Sequence, residues 1–164
     1  MKVFKEEQRF TQTWLIILII ISTIAPLIII IKNYLNHKID VLTSLTVVGI
    51  IIFATCFIFF FKLKTRIDEY GIHYQFFPFH LKFRTKKWHQ INKAYIRKYD
   101  AITEYGGWGL KSSWPWNKKK GTAINISGDI GIQLELKNGK KLLIGTQKEN
   151  NARQVLKTYQ CKIQ

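Results

Sequence analysis

The sequence predicts an α+β protein: a two-helix transmembrane hairpin followed by a split β-barrel capped by a C-terminal helix. Three observations lead there. Two uncharged apolar runs, Trp14–Ile31 and Val41–Phe61, stand close together near the N-terminus and are 18 and 21 residues long. Beyond Lys62 the apolar period changes to two. A last segment carries apolar residues at helical spacing.

The apolar runs come first in the chain. At about 1.5 Å per helical residue, roughly 20 residues cross a hydrocarbon core of about 30 Å. Backbone amides find no water there, so each run is expected to be a helix. The first run is longer than a secretory signal core, and Asn33-Tyr34-Leu35-Asn36 follows it where a small-residue cleavage site would stand. Residues 1–62 are therefore read as a retained hairpin and residues 63–164 as one small domain. Lys2, Lys5 and Arg9 precede the first span, and Lys62, Lys64 and Arg66 follow the second. The loop Lys32–Asp40 holds only Lys32 and Lys38. That bias predicts both chain ends in the cytoplasm. Thr43, Ser44, Thr46 and Gly49 form a small, polar stripe suited to helix association.

The formal charge is +16, and residues 63–164 carry 20 Lys/Arg against 7 Asp/Glu. Such a domain suits an anionic lipid surface, nucleic acid, or simple solubility. Tethering to a membrane makes lipid the natural choice, at about 1 kcal/mol per basic residue near the surface. Cys56 lies in an apolar run and Cys161 near the C-terminus, so no disulfide and no metal pair is expected.

Within the basic domain Tyr70, Ile72, Tyr74 and Phe76 alternate with Gly71, His73 and Gln75, as along a strand. Leu81 and Phe83, with Thr85 as an extension, are read as a second strand after Pro78. Trp88 and Ile91 begin a third segment, and Tyr95, Ile96 and Tyr99 a fourth. Ala123–Ser127 forms a strand joined through Gly128-Asp129 to the clearest one, Ile130–Lys137. There Ile130, Ile132, Leu134 and Leu136 face one way, and Gln133 and Glu135 the other. Asn138-Gly139 then predicts a hairpin with both turn residues at positive φ, leading into Lys140–Ile144. Thr146 three residues before Glu149 has the capping-box pattern, and Ala152, Val155, Leu156 and Tyr159 make the stripe of a helix lying on the sheet.

Six or seven strands closed by one helix is the layout of a pleckstrin-homology-like (PH-like) barrel. Residues 63–164 resemble the bacterial PH-like domains that follow a pair of membrane helices. The resemblance rests on Ile67–Ile72, Trp88-His89-Gln90-Ile91, Tyr105–Leu110, Gly131–Leu136 and Leu143–Gln147. These are mostly turn and core residues, so they imply a fold and not a chemistry. The resemblance also implies a multi-pass protein of the bacterial inner membrane.

Three segments are candidates for contact with a membrane or a partner. Gly106-Gly107-Trp108-Gly109 is either a tight turn whose indole packs on the barrel or a binding rim at Trp108. The loop Leu110–Gly121 carries Trp114 and Trp116 around Pro115, then Lys118, Lys119 and Lys120. Indoles favour the headgroup level and lysines favour phosphates, so this loop either dips into the leaflet or covers the barrel's open end. In Phe76-Phe77-Pro78-Phe79, alternation buries one of the first two rings and leaves Phe77 for a membrane or partner.

Catalysis finds no support. His73, His80 and His89 lack metal-ligand spacing, no G-x-S-x-G occurs, and neither apolar run holds a charge. No cofactor, metal or nucleic-acid partner is expected. The expected role is non-catalytic: a scaffold or accessory subunit for a membrane-protein partner or a homo-oligomer. The alternative is a module that binds anionic lipids at the inner leaflet.

Overall fold

The computed structural model describes residues 2–112 and 121–163. The chain divides into two units, Phe10–Phe61 and the combination of Met1–Arg9 with Lys62–Gln164.

The first unit is helical. Helix α1 runs over Thr13–Leu35 and α2 over Val41–Phe57, the latter continued by a 3-10 turn at Ile58–Phe60. Both are long and apolar enough to cross a membrane. Neither buries any side chain within the protein: Leu42 is 74% and Phe53 71% exposed. Asp40 caps α2 by accepting from the Thr43 amide at 3.1 Å. Thr23 Oγ1 and Thr55 Oγ1 lie 3.1 Å apart across the two helices. The hydroxyls of Thr43, Ser44 and Thr46 bond back to Asp40 or Leu42 on their own helix.

The second unit is two sheets and a helix. One sheet has the order β1-β2-β3-β4, formed by Phe4–Arg9, Lys62–Asp68, Gly71–Phe77 and Arg84–Lys87. The other has the order β5-β8-β9-β7-β6. Its strands are Ile91–Lys98 (β5), Gly109–Ser112 (β6), Thr122–Asn125 (β7), Ile130–Leu136 (β8) and Lys141–Gly145 (β9). Helix α3 spans Ala101–Tyr105 and α4 spans Glu149–Tyr159. Helix α4 contacts β1, β2, β5 and β8, and so touches both sheets. Its buried residues are Ala152, Val155, Leu156 and Tyr159, the stripe the sequence predicts.

The division at residue 62 is corrected by β1. Residues 4–9 belong to the sheet and pair antiparallel with β2, Phe4 opposite Ile67 and Arg9 opposite Lys62. Phe4, Glu6 and Gln8 point inward. The two polar residues find partners at the far end of the chain, although Gln8 Oε1 is buried without one among the described residues. Glu6 accepts from Thr146 Oγ1 at 2.7 Å and from the Gln147 amide at 2.8 Å, and Gln8 Nε2 donates to the Gly145 carbonyl at 2.8 Å. Engaged in this way, Thr146 forms no capping box, and α4 begins without a side-chain cap.

Other expectations change in detail. Leu81 and Phe83 form no strand and are 77% and 49% exposed; the second strand is the polar Arg84–Lys87 instead. The segments around Ile91 and Tyr95 are one strand, β5, with a bulge between Ile91 and Lys93. Strands β7 and β8 are not neighbours, because β9 lies between them and runs parallel to β7. Gln133 is buried, accepting from Arg97 Nε at 3.0 Å and donating toward the Leu142 carbonyl. In the β8–β9 turn only Gly139 takes positive φ (76°). Its amide donates to the Leu136 carbonyl at 2.9 Å, and the Leu136 amide to the Lys140 carbonyl. That is a three-residue loop, not the two-residue one expected.

Between the sheets lies the main core, including Leu63, Ile67, Ile72, Phe76, Ile132 and Ile144. Trp88 closes one end, stacked on Tyr159 at 5.5 Å with its Nε1 donating to the Asp68 carbonyl at 2.9 Å. The outer face of the five-stranded sheet is covered in turn by Tyr99, Ala101 and Tyr105 against Ala123 and Leu143.

Candidate functional site

A concave surface lies as a groove between the edge of the four-stranded sheet and the five-stranded one. Cross-strand register builds its first wall. Tyr74 stands opposite Arg84 and Ile72 opposite Lys86, so these four side chains share the inward face. Strand β4 is an edge, with no sheet partner beyond it, and its inward-facing cations are left at an opening. The chain from Phe77 to Phe83 folds back beside them. The His80 amide donates to the Phe76 carbonyl at 2.8 Å and brings the buried imidazole within 5.9 Å of the Tyr74 ring.

Facing this wall, the β8–β9 turn delivers Lys140 and Lys141, while Leu136, Leu142, Ile124 and Leu110 supply an apolar floor. The groove measures about 490 Å³. Gly121, at φ 80°, opens β7 alongside it; a Cβ there would strike the Lys141 carbonyl, so only glycine lets the two strands approach this closely. An adjoining depression of about 430 Å³ shares Lys86 and Leu136 and adds Lys137 and His89.

The groove is electropositive. Among the described residues, its lining holds four Lys or Arg and no carboxylate. Lys141 is partly balanced by Glu135 at 3.8 Å. Burial pushes the His80 imidazole below its usual pKa, and the Arg84 charge adds to the effect, so His80 is a neutral group there. Burial raises the Tyr74 phenol, with Arg84 working against the rise.

Of the residues singled out by sequence, the structure describes Trp108 and Phe77. Trp108 follows the left-handed Gly106 (φ 73°) and packs against the Tyr99–Tyr105 cluster. Its indole Nε1 points to the Gly128 carbonyl at 3.4 Å. The tight-turn reading of this motif describes that geometry. Phe77 ends β3 opposite Lys62 and is half-buried, while Phe76 is 1% exposed in the core. Trp114, Trp116, Lys118, Lys119 and Lys120 lie outside the described residues. The groove cations Arg84, Lys86, Lys140 and Lys141 were not singled out by the sequence. Their only signal is that the short segments 84–87 and 137–141 are basic without being loops throughout.

One hydrogen-bonded chain has the order of a nucleophile, base and acid. Thr85 Oγ1 is 2.8 Å from His73 Nδ1, and His73 Nε2 is 3.0 Å from Asp68 Oδ1. These residues meet because Thr85 is the cross-strand partner of His73, which is in turn the partner of Arg66. Arg66 Nε holds the other Asp68 oxygen at 2.9 Å. Asp68 also accepts from the Tyr70 amide at 2.9 Å, which makes it the anchor of the β2–β3 turn. Thr85 is exposed on the outer face of the sheet, away from the groove. The arrangement is a surface ladder. No group of three or more His, Cys, Asp or Glu side chains capable of holding a metal occurs among the described residues. Both cysteines are free.

Comparison with protein-family models, with curated proteins and with solved structures finds no match.

Proposed function

We propose that the chain is a membrane-anchored, non-catalytic module whose PH-like domain serves as scaffold or accessory subunit for a membrane-protein partner. The observation that carries this is the pairing of Arg9 with Lys62. These residues flank the helical unit, Phe10–Phe61, and adjacent strands of a sheet lie only about 4.8 Å apart. If α1 and α2 cross a bilayer, the chain must enter and leave it on one side. The helices are thus an insertion into a strand connection, and the domain is tied to the membrane at two points instead of one. Two tethers limit the tumbling of the domain, which suits a scaffold. The excess of Lys and Arg outside the Lys32–Asp40 loop supports the reading in which the domain faces the cytoplasm.

The test uses the full chain with Cys56→Ala. His37→Cys, in the interhelical loop, should react with a membrane-impermeant maleimide on intact spheroplasts. The native Cys161 should react only after permeabilisation. Labelling of both from outside would overturn the topology. Purification in mild detergent followed by native mass spectrometry should retain a second polypeptide in fixed stoichiometry; a lone chain would remove the scaffold role.

A second reading, recognition of anionic lipid, is favoured by one specific observation: the basic groove with an apolar floor.

A further inference from the structure

We infer that the groove between β4 and the β8–β9 turn is a binding site for an anionic amphiphile, taking the phosphate headgroup of a lipid between Arg84, Lys86 and Lys140 and its first acyl carbons on the floor at Leu110. This deepens the lipid-recognition reading and rests on the chain being a membrane protein.

The argument begins with where the cations are. Arg84 and Lys86 face inward from an edge strand, on the side where Ile72 and Tyr74 make core. Arg84 is exposed and Lys86 half-buried, so both cations stay hydrated at the opening and are open to an incoming anion. Among the described residues no carboxylate pairs with Arg84, Lys86 or Lys140. The three cations line one concavity with an apolar floor, where an anion is concentrated. A phosphate diester accepts from Arg as a fork and from Lys as point charges.

The floor selects among anions. Leu110 is 36% exposed at the base of the opening, over the buried Ile124, Leu136 and Leu142. A free phosphate, or an acidic peptide, would leave that surface wet. A lipid covers it, gaining about 25 cal/mol per Å² of apolar area removed from water. The volume, about 490 Å³, is that of a site for a headgroup with a short length of chain. None of these lining residues belongs to the Trp114–Lys120 segment.

The experiment titrates the full-length protein in neutral detergent with dioctanoyl phosphatidylglycerol, by calorimetry. Three further probes are dioctanoyl phosphatidylcholine, the tail-free glycerophosphoglycerol, and hexaglutamate. Phosphatidylglycerol should bind at least tenfold more tightly than each. Arg84→Gln/Lys86→Gln/Lys140→Gln should lose at least tenfold in affinity. Lys5→Gln/Arg153→Gln/Lys157→Gln, with the same charge removed elsewhere, should not. Single Lys140→Gln, on an exposed turn, should weaken binding by itself and covers the case of a misfolded triple variant. Equal loss in the control would mean bulk charge and overturn the site. Equal binding of glycerophosphoglycerol would make the ligand a soluble phosphate, and equal binding of hexaglutamate an acidic protein; both overturn the inference. Alkaline carbonate extraction of native membranes separates the two readings. A chain that stays in the pellet yet fails the titration loses only the groove, whereas a chain released by carbonate loses the anchor.

Discussion

Glu6 takes the hydroxyl of Thr146 at 2.7 Å although 140 positions separate them. The other carboxylate oxygen accepts from the Gln147 amide at 2.8 Å. Both contacts are buried or partly so, and together with Gln8 they fasten the first strand to the corner where β9 gives way to α4.

Removing that carboxylate should be costly. Glu6→Ala leaves a buried hydroxyl and an amide without their acceptor. Hydrogen bonds to charged groups contribute about 1.5–3 kcal/mol, so a loss of about 2–3 kcal/mol is expected. Glu6→Gln keeps an acceptor and should lose roughly half of that. Urea unfolding followed by near-ultraviolet circular dichroism measures both; equal stability of wild type and Glu6→Ala would contradict the role.

Acid should loosen the β2–β3 turn. Burial works to raise the Asp68 carboxyl, but the His73 and Tyr70 hydrogen bonds and the charges of His73 and Arg66 outweigh it and hold the pKa below the usual range. A lowered carboxylate pKa contributes stability that is present above the unfolded value of about 3.9 and is lost as pH falls through the folded value. Asp68→Asn should therefore be less stable than wild type at pH 7, with the gap closing below about pH 4. A gap that stays constant with pH would show that the charge is not what matters.

His80 acts in a different window. Its imidazole is held below 6.5, first by burial and then by Arg84, so the unfolded chain binds the proton more readily. Stability then falls as pH drops below about 6.5, until the folded pKa is reached. His80→Asn should flatten that part of the pH profile, as read from midpoints between pH 7 and 5. Retention of the slope would assign it elsewhere.

Base should find Tyr99 late. Burial pushes its phenol up to about 12, against the Asn125 Nδ2 hydrogen bond at 2.9 Å that favours the ionised form. Ultraviolet titration of wild type against Tyr99→Phe should remove one phenol titrating near 12. Because the folded value is raised, ionisation in the unfolded chain erodes stability from about pH 10 upward.

Gly121→Ala tests the approach of β7 to β9. The residue sits at φ 80° and a Cβ meets the Lys141 carbonyl, so strain and a steric shift combine. A cost of about 1–3 kcal/mol is expected, measured by the same urea unfolding. A neutral substitution would mean the strands can separate freely at the groove.

The parts legible in the sequence are those where polarity follows environment. The two apolar runs report helices long and apolar enough to cross a membrane, and the Ile72–Phe76 alternation and the Ala152–Tyr159 stripe report burial directly. Strand β1 does not, because its inward face is Phe4, Glu6 and Gln8. Strand β4 does not either, since Arg84 to Lys87 includes no apolar residue. Leu81 and Phe83 mislead in the opposite sense, alternating as a strand would while standing exposed in a loop. Gln133 looks solvent-facing but lies beneath Arg97. The groove was illegible for a related reason. Its cations sit at positions 84, 86, 140 and 141, which come together only once the two sheets are packed.

The place of β1 ahead of the helices sets a timetable for synthesis. Its strand partner emerges from the ribosome only after α1 and α2, and the partners of Glu6 and Gln8 arrive later still, at Gly145–Gln147. At about 5–20 residues per second, the backbone of the first strand waits roughly three to twelve seconds for β2, and Glu6 and Gln8 roughly seven to thirty seconds for their partners. An apolar strand left open for that time invites pairing with the wrong chain. Glu6 and Gln8, set on the face that will be buried, keep the waiting segment hydrated until the corner that partners them has been made.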